Sequence, residues 1–343
     1  MINPRITTII PTYRRPKMLE RAIRSVMEQD YSHIKICIYD NNSQDETKEV
    51  VENLAKVDSR VHYFCHDQNI GGLNNFLFGM KQVQTEYFSF LSDDDYLLPQ
   101  FYSKAINDLE NCKDAMFWAG MSLHINTQNT ICYTRFTQYV REGISSPPEG
   151  IFTLTSGMAP PWTSILFRKQ AINHLGLLDI SLLGPSDLEY CLRIAAHYPY
   201  IIRKHPSAVF TLNNQSYSAT QPLSSFWPGW KKMISLFEKN TVLDVDVQKK
   251  LTFQLRKDAE KMLFRRGANA IAARRLEFAK AAADVLALEF KQSSKAYFLY
   301  IIIYLCSKIN ILQSFYTYLY KLLENKMIKA NQELHHKYKH LLR

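Results

Sequence analysis

Along the first hundred residues, short unbroken apolar runs alternate with apolar positions at helical spacing. Arg5 to Ile10 is β-branched and nearly continuous in apolar character, the pattern of a strand buried on both faces of a parallel sheet. Pro11-Thr12-Tyr13 interrupts it, Pro16 suits a first helical turn, and Leu19, Ala22, Ile23, Val26 and Met27 fall on one helical face. A second strand, Ile34 to Tyr39, ends at the turn Asp40-Asn41-Asn42. Ser43-Gln44-Asp45-Glu46 then has the form of a capping box, opening a helix that buries Val50, Val51 and Leu54. Val61 to Cys65 reads as a third strand, followed by Asn69-Ile70-Gly71-Gly72 and a helix to about Val83. Tyr87 to Leu91 reads as a central parallel strand. Strands alternating with helices in this way predict right-handed βαβ units, an α/β fold and a mostly parallel sheet.

Further on, the pattern predicts a helix from Pro99 to Asn111, a strand from Ala115 to Ala119, and loops with short strands across 120–160. Strand character returns at Thr163 to Phe167 and a short helix at Lys169 to Leu175. Gly184-Pro185-Ser186-Asp187 opens another helix, with Leu188, Cys191, Leu192 and Ala195 inside and Glu189 and Arg193 as a solvated i, i+4 brace. After Ser224 the pattern is helical almost throughout: Phe226 to Lys239, Asp246 to Gly267, Ala270 to Leu288 and Lys295 to Leu323. The expectation is one α/β domain over 1–224 and a helical, basic region over 225–343.

Charge divides at the same place. Residues 1–224 hold 20 Lys+Arg against 22 Asp+Glu, whereas 225–343 hold 22 against 10, a net +12. The helical region also carries two aromatic-apolar runs, Tyr297 to Leu305 and Phe315 to Leu323, with lysines beside them. That is the composition of a helix in a lipid interface, and equally of one packed on the domain or on another subunit. No nucleic-acid-binding motif accompanies the basic residues, so their charge predicts only non-specific attraction to nucleic acid. Six well-separated cysteines without metal-ligand spacing, and an N-terminus lacking a signal-type apolar core, point to a reducing cytoplasm. The uncharged stretch Ala296 to Ser307 is too short to span a bilayer, which leaves a soluble protein or one peripheral on the inner face of a membrane.

The chemistry begins at Leu91-Ser92-Asp93-Asp94-Asp95, where an apolar strand ends in three carboxylates. Adjacent carboxylates repel unless a cation meets them, and ligands bind at the carboxyl ends of strands in open α/β sheets. A solvated acidic turn is the bland alternative.

Taken together, several separated motifs resemble the inverting GT-A glycosyltransferases of family 2. These are Ile9-Ile10-Pro11-Thr12-Tyr13-Arg14-Arg15, Ile38-Tyr39-Asp40-Asn41-Asn42-Ser43-Gln44-Asp45, Asn69-Ile70-Gly71-Gly72 and Leu91-Ser92-Asp93-Asp94-Asp95, in that order. The resemblance covers roughly residues 5–215 and implies a GT-A fold, Rossmann-like in its parallel sheet. It implies that Asp40 contacts the nucleoside of a nucleotide-sugar donor, a UDP-sugar by preference, with Pro11, Thr12, Tyr13 and Arg15 around the same pocket and Asn69 and Gly71 nearby. Asp93 would lie near the ribose or the metal-linked waters and share the metal site, Asp95 would be the direct ligand to Mg²⁺ or Mn²⁺, and Asp94 either joins the donor-binding residues or is structural. Asp187 inherits the catalytic base, although Ser186 stands where the family usually has Glu. By the same resemblance the acceptor is a glycan hydroxyl, lipid-linked, of a surface polysaccharide such as O-antigen or capsule. Trp162 reads equally as an acceptor platform or as core, and His205 with the run Asn213 to Ser218 falls where some relatives close the site. A nucleotidyltransferase that makes sugar nucleotides and a non-catalytic glycan-binding module are the rival readings. Pro11-Thr12-Tyr13 is not the Gly-rich loop that the first would need.

Overall fold

The computed structural model describes residues 3–136, 141–212, 222–290 and 293–342. The first half of the sheet follows the sequence pattern closely. Strands β1 (Ile6–Thr12), β2 (Ile34–Asp40), β3 (Val61–Cys65) and β4 (Tyr87–Phe90) lie in the order β3-β2-β1-β4, all parallel. Helices α1 (Pro16–Met27), α2 (Thr47–Val57) and α3 (Gly72–Lys81) connect them. The apolar stripe read on α1 is buried at Leu19, Ala22, Ile23 and Val26, against β1 and β2.

The second half is mixed. Next come β5 (Tyr96–Leu97), α4 (Phe101–Asn111), β6 (Phe117–Ile125), β7 (Ile131–Thr134), β8 (Gly143–Ser145), α5 (Gly150–Thr153), β9 (Ile165–Arg168), α6 (Gln170–Leu175), α7 (Ser186–His197) and β10 (Tyr200–Thr211). The sheet continues β4-β9-β6-β10-β5, and β9 runs antiparallel to both β4 and β6. β4 is therefore central, but parallel on its β1 side alone. The strand expected to stop at Ala119 continues to Ile125 with every residue buried, because both faces are covered. The helix expected from Pro99 starts at Phe101, since Gln100 takes a left-handed conformation (φ 66°).

The C-terminal region is helical: α8 (Leu223–Glu238), α9 (Val245–Ala272), α10 (Leu276–Glu289), α11 (Ser294–Lys308), α12 (Asn310–Ala330) and α13 (Gln332–Tyr338). Asp244 caps α9, its carboxylate accepting from the backbone N–H groups of Asp246 and Val247. A helix start at Ala270 is not found; α9 runs on to Ala272 and turns at Arg274 (φ 59°). The single helix expected over Lys295 to Leu323 is two helices, broken at Ile309, whose backbone is extended (φ −132°, ψ 100°). Gly229 lets α8 meet the backbone of Leu182, and Gly267 lets α9 meet Leu299 of α11; a Cβ at either would collide.

The division at 224 is not a clean one. The core around β4, β9 and α7 continues into α8, α9 and α10 without interruption. The end of the chain also returns to the sheet. Asn331 donates to the Cys132 carbonyl at 2.8 Å, His335 Nδ1 accepts from the Ile131 amide at 3.3 Å, and Tyr338, Leu341 and Leu342 cover a small core around Tyr96 and Val209. No helix among the described residues is long and apolar enough to cross a membrane.

Candidate active site

The parallel registers Ile9↔Phe90 and Thr12↔Asp40 bring the carboxyl ends of β1, β2 and β4 together. A cavity of about 390 Å³ opens there, bounded across the gap by Pro161–Thr163, Leu178, Leu183–Gly184 and the start of α7. Of the residues singled out in the sequence, Pro11, Thr12, Tyr13, Arg15, Asp93, Asp94 and Asp187 line it. Asp40, Asn69, Gly71, Asp95 and His205 are not among its lining residues.

The triplet splits. Asp93 accepts from the Thr12 hydroxyl at 2.9 Å and from Arg15 at 3.1 Å, and Arg15 also reaches Asp94 at 3.2 Å. Burial pushes the Asp93 carboxyl up to about 6, with Arg15 opposing and Asp94 adding to the rise. Asp95 is turned inward. One oxygen accepts from the Thr163 hydroxyl at 2.5 Å and the other from the Thr211 amide at 2.8 Å, and burial raises its pKa well above the ordinary carboxylate value. Of the triplet, Asp93 and Asp94 line the cavity, whereas Asp95, expected as the direct metal ligand, is not among the lining residues and is tied to Thr163 and to Thr211 of β10. Arg21, unremarked in the sequence, holds the same turn by donating to the Asp94 carbonyl at 2.6 Å while lying over the Tyr96 ring.

Asp40 is likewise an internal anchor. Its Oδ1 accepts from the Ser43 amide and hydroxyl, at 2.9 and 2.6 Å, and its Oδ2 accepts from Tyr63 at 2.6 Å. The nucleoside contact expected of Asp40 is not presented to the cavity; its neighbour Asn41 is on the wall instead. Asn41 donates to Asn69 at 2.8 Å and accepts from the Ile70 amide at 2.8 Å, so the Asn-x-Gly segment acts by holding Asn41. Gly71, at φ 85°, makes the turn into α3.

Asp187 sits in the first turn of α7, its side chain open to the cavity. The surrounding walls desolvate the carboxylate and raise its pKa, opposed by the Leu188 amide, which donates to it at 2.7 Å. Trp162 stacks its ring on Phe90 at 4.3 Å, donates from Nε1 to the Asp187 carbonyl at 3.3 Å, and also lines the cavity. The Glu189–Arg193 pair is no solvated brace. Glu189 is buried, and Arg193 also donates to the carbonyls of Leu175 and Leu177, tying α7 to the loop that leads to the cavity wall. Among the described residues, His205 Nε2 approaches the Pro99 carbonyl at 3.5 Å. Asn213 to Ser218 fall outside the described residues.

Leu73, Asn75, Phe76, Leu178, Leu183, Phe210 and Thr211 line the cavity without having been read from the sequence. Most are apolar residues whose sequence signal is that of core. Among the described residues, no group of three or more His, Cys, Asp or Glu side chains could hold a metal ion. The donor set nonetheless fits a hard cation that also takes diphosphate oxygens and water, since one or two carboxylates suffice for Mg²⁺. Asp93 and Asp94 are the two carboxylates of the triplet that line the cavity.

Residues 7–174 match the model of glycosyl transferase family 2. They form a family 2 glycosyltransferase domain. Over 96 residues, 28% of this chain and 31% of the relative, the sequence is 43% identical to the GalNAc(5)-diNAcBac-PP-undecaprenol beta-1,3-glucosyltransferase of Campylobacter jejuni. The chain thus aligns with less than a third of that relative's length. In fold the chain is similar to S. aureus TarS 1–349 in complex with UDP-GlcNAc, with TM-score 0.62, 13% identity and coverage of 87% and 90% of the two chains. It is also similar to the mannosyltransferase PcManGT of Pyrobaculum calidifontis in complex with GDP-Man and Mn²⁺, with TM-score 0.54, 14% identity and coverage of 96% and 87%. At these identities the structures establish the GT-A fold of the domain. Asp187 lies beyond the residues that the family model matches.

Proposed function

We propose that the chain transfers one sugar from a nucleoside diphosphate, a UDP-sugar by preference, to a hydroxyl of a lipid-linked surface glycan, with inversion at the anomeric carbon. The observation that carries this is that Asp187, from α7, and the pair Asp93 and Asp94, from the turn that follows β4, line one cavity at the carboxyl ends of the strands. Asn41 with Pro11, Thr12 and Tyr13 forms the nucleoside side of that cavity, and Trp162 with Leu183 the acceptor side. Asp187 accepts the acceptor's hydroxyl proton. The oxygen lone pair then forms the new bond to the anomeric carbon while the bond to the diphosphate breaks, and its electron pair leaves with the diphosphate. A bound Mg²⁺ or Mn²⁺, held by Asp93 and Asp94, would neutralise charge on the leaving diphosphate. Arg15, already across both carboxylates, lies beside the same charge. Residues 1–224 are the catalytic unit in this reading, and 225–343 its helical support.

Support comes from the relatives. One is named for a reaction on an undecaprenol diphosphate-linked glycan, one neighbour holds UDP-GlcNAc, and another holds a nucleotide sugar with Mn²⁺. A lipid-linked acceptor also implies a peripheral position at a membrane face. The test is release of free nucleoside diphosphate from a panel of UDP-, GDP-, dTDP- and CDP-sugars, with and without Mn²⁺ and polyprenyl-linked glycans. Acceptor-dependent release with an inverted product linkage, read by NMR, is expected. Release only by hydrolysis, or a retained configuration, overturns the reading.

A further inference from the structure

Most proteins cover their apolar helix faces, but two consecutive helices here do not. On α11, Tyr297, Phe298, Ile301, Tyr304 and Leu305 are exposed at i, i+1, i+4, i+7 and i+8, one stripe of the helix. The opposite side, with Ala296, Leu299 and Cys306, is buried against the bundle. On α12 the exposed residues Ile311, Phe315, Tyr318, Leu319, Leu322 and Leu323 repeat the spacing. Gln313 on its other side is buried and donates to the Ile271 carbonyl at 2.7 Å. Ile309, also exposed, joins the two stripes at the corner. An apolar surface this continuous marks an interaction site.

We propose that the α11–α12 stripe is a docking surface for an anionic lipid bilayer. Charge argues for this occupant over the others. From Ser294 to Leu323 the sequence contains Lys295, Lys308 and Lys321 and no Asp or Glu. A second copy meeting the stripe face to face would set lysines against lysines with no counter-charge within it, whereas anionic headgroups provide one. Lys308, Lys321, Lys326 and Lys329 are exposed along or just beyond the stripe, with Glu324 the one acidic residue in the sequence between them, while Lys295 is already paired with Glu260 at 3.0 Å. Three of the exposed side chains are tyrosines, which place a ring in the apolar layer and a hydroxyl among headgroups. The chain's own end does not cover the stripe, because α13 is committed to β7 through Asn331 and His335. Neither helix crosses the bilayer. The surface holds the protein on one leaflet, as an amphipathic helix does.

This surface stands apart from the reaction assigned to the cavity, except that it would bring a lipid-linked acceptor near; only that consequence rests on the proposed function. The experiment therefore uses no turnover. The full chain is sedimented with vesicles of phosphatidylglycerol and phosphatidylcholine, and with phosphatidylcholine alone, at low and high salt. Binding to the anionic vesicles is expected to exceed binding to neutral ones by at least about tenfold and to weaken as salt rises. Ile301→Asp and Phe315→Asp, both on exposed positions, are expected to lower it at least about tenfold with an unchanged thermal midpoint. Lys308→Glu with Lys321→Glu should lower it without removing any apolar area. Absence of wild-type binding at low salt overturns the proposal. So does a stable dimer in light scattering that Phe315→Asp turns into monomer, which would assign the stripe to a second copy.

Discussion

The two ends of the molecule break opposite rules of burial. At the carboxyl ends of β1, β2 and β4 the protein buries charge: Asp40, Asp93, Asp94 and Asp95 are all under 10% exposed. On α11 and α12 it exposes apolar surface, with Tyr304 at 63% and Ile311 at 79%. Each exception costs stability when viewed alone, the first through desolvation and the second through unburied hydrocarbon. What differs is how the cost is met. Buried carboxylates are answered inside the fold, by Thr12, Arg15, Ser43, Tyr63, Thr163 and Thr211. The apolar stripe has no answer within the described chain, which is why it points outward to a partner, while of the four carboxylates Asp93 and Asp94 line the cavity.

Substitutions can test that contrast, beginning with the largest effect. Phe167→Ala removes a fully buried ring stacked on Phe88 at 5.1 Å and is expected to destabilise by about 3–5 kcal/mol, whereas Phe315→Ala should stay within about 0.5 kcal/mol. Urea denaturation of both variants reads the difference directly; equal losses would mean that the stripe is packed. Asp187→Asn keeps the shape of the cavity and removes its base. Turnover on the acceptor should fall on the order of 10²-fold or more while UDP affinity by calorimetry holds, and near wild-type turnover would move the base elsewhere.

A smaller effect separates the carboxylates from one another. Asp94→Asn should weaken Mn²⁺-dependent UDP binding on the order of tenfold, whereas Asp95→Asn should act chiefly on the thermal midpoint. The reverse result would return the ligand role to Asp95.

The smallest effects lie in pH. Asp187 must be ionised to act and its pKa is raised by desolvation, so the acid limb of kcat/KM should fall at a higher pH than for an ordinary carboxylate. The folded Asp93 carboxyl titrates near 6, above its unfolded value. Its contribution to stability is thus fully present below about pH 4 and lost as pH rises through 6. Asp93→Asn should flatten that part of the metal-free stability profile, read as thermal midpoint against pH; an unchanged slope would show that Arg15 already holds Asp93 ionised.

β1, β2 and β4 were legible because each is buried almost throughout and reads as a nearly continuous apolar run that turn residues end, whereas β3, at the sheet edge with His62, Phe64 and Cys65 exposed, was legible from its β-type residues between turns. The second half was less so. β9 enters antiparallel between β4 and β6, and nothing in Ile165–Arg168 itself distinguishes it from a parallel strand. The break at Ile309 lacks a proline or glycine to announce it, and arises where α11 and α12 each pack onto α9 and part company.

By itself, then, the sequence determined the order of elements, the βαβ start, the place of the carboxylates at a strand end and the basic, aromatic character of the last third. Those are local properties, carried by periodicity, turn chemistry and composition. Only the tertiary structure decided which carboxylates meet the cavity, because the residues that turn Asp95 inward, Thr163 and Thr211, lie 68 and 116 positions away. It decided that Asp40 anchors a turn while Asn41 forms the wall, and that one side of α11 is core and the other surface. A side chain's neighbours across the fold set its direction and its charge state, and distance along the chain says little about who those neighbours are.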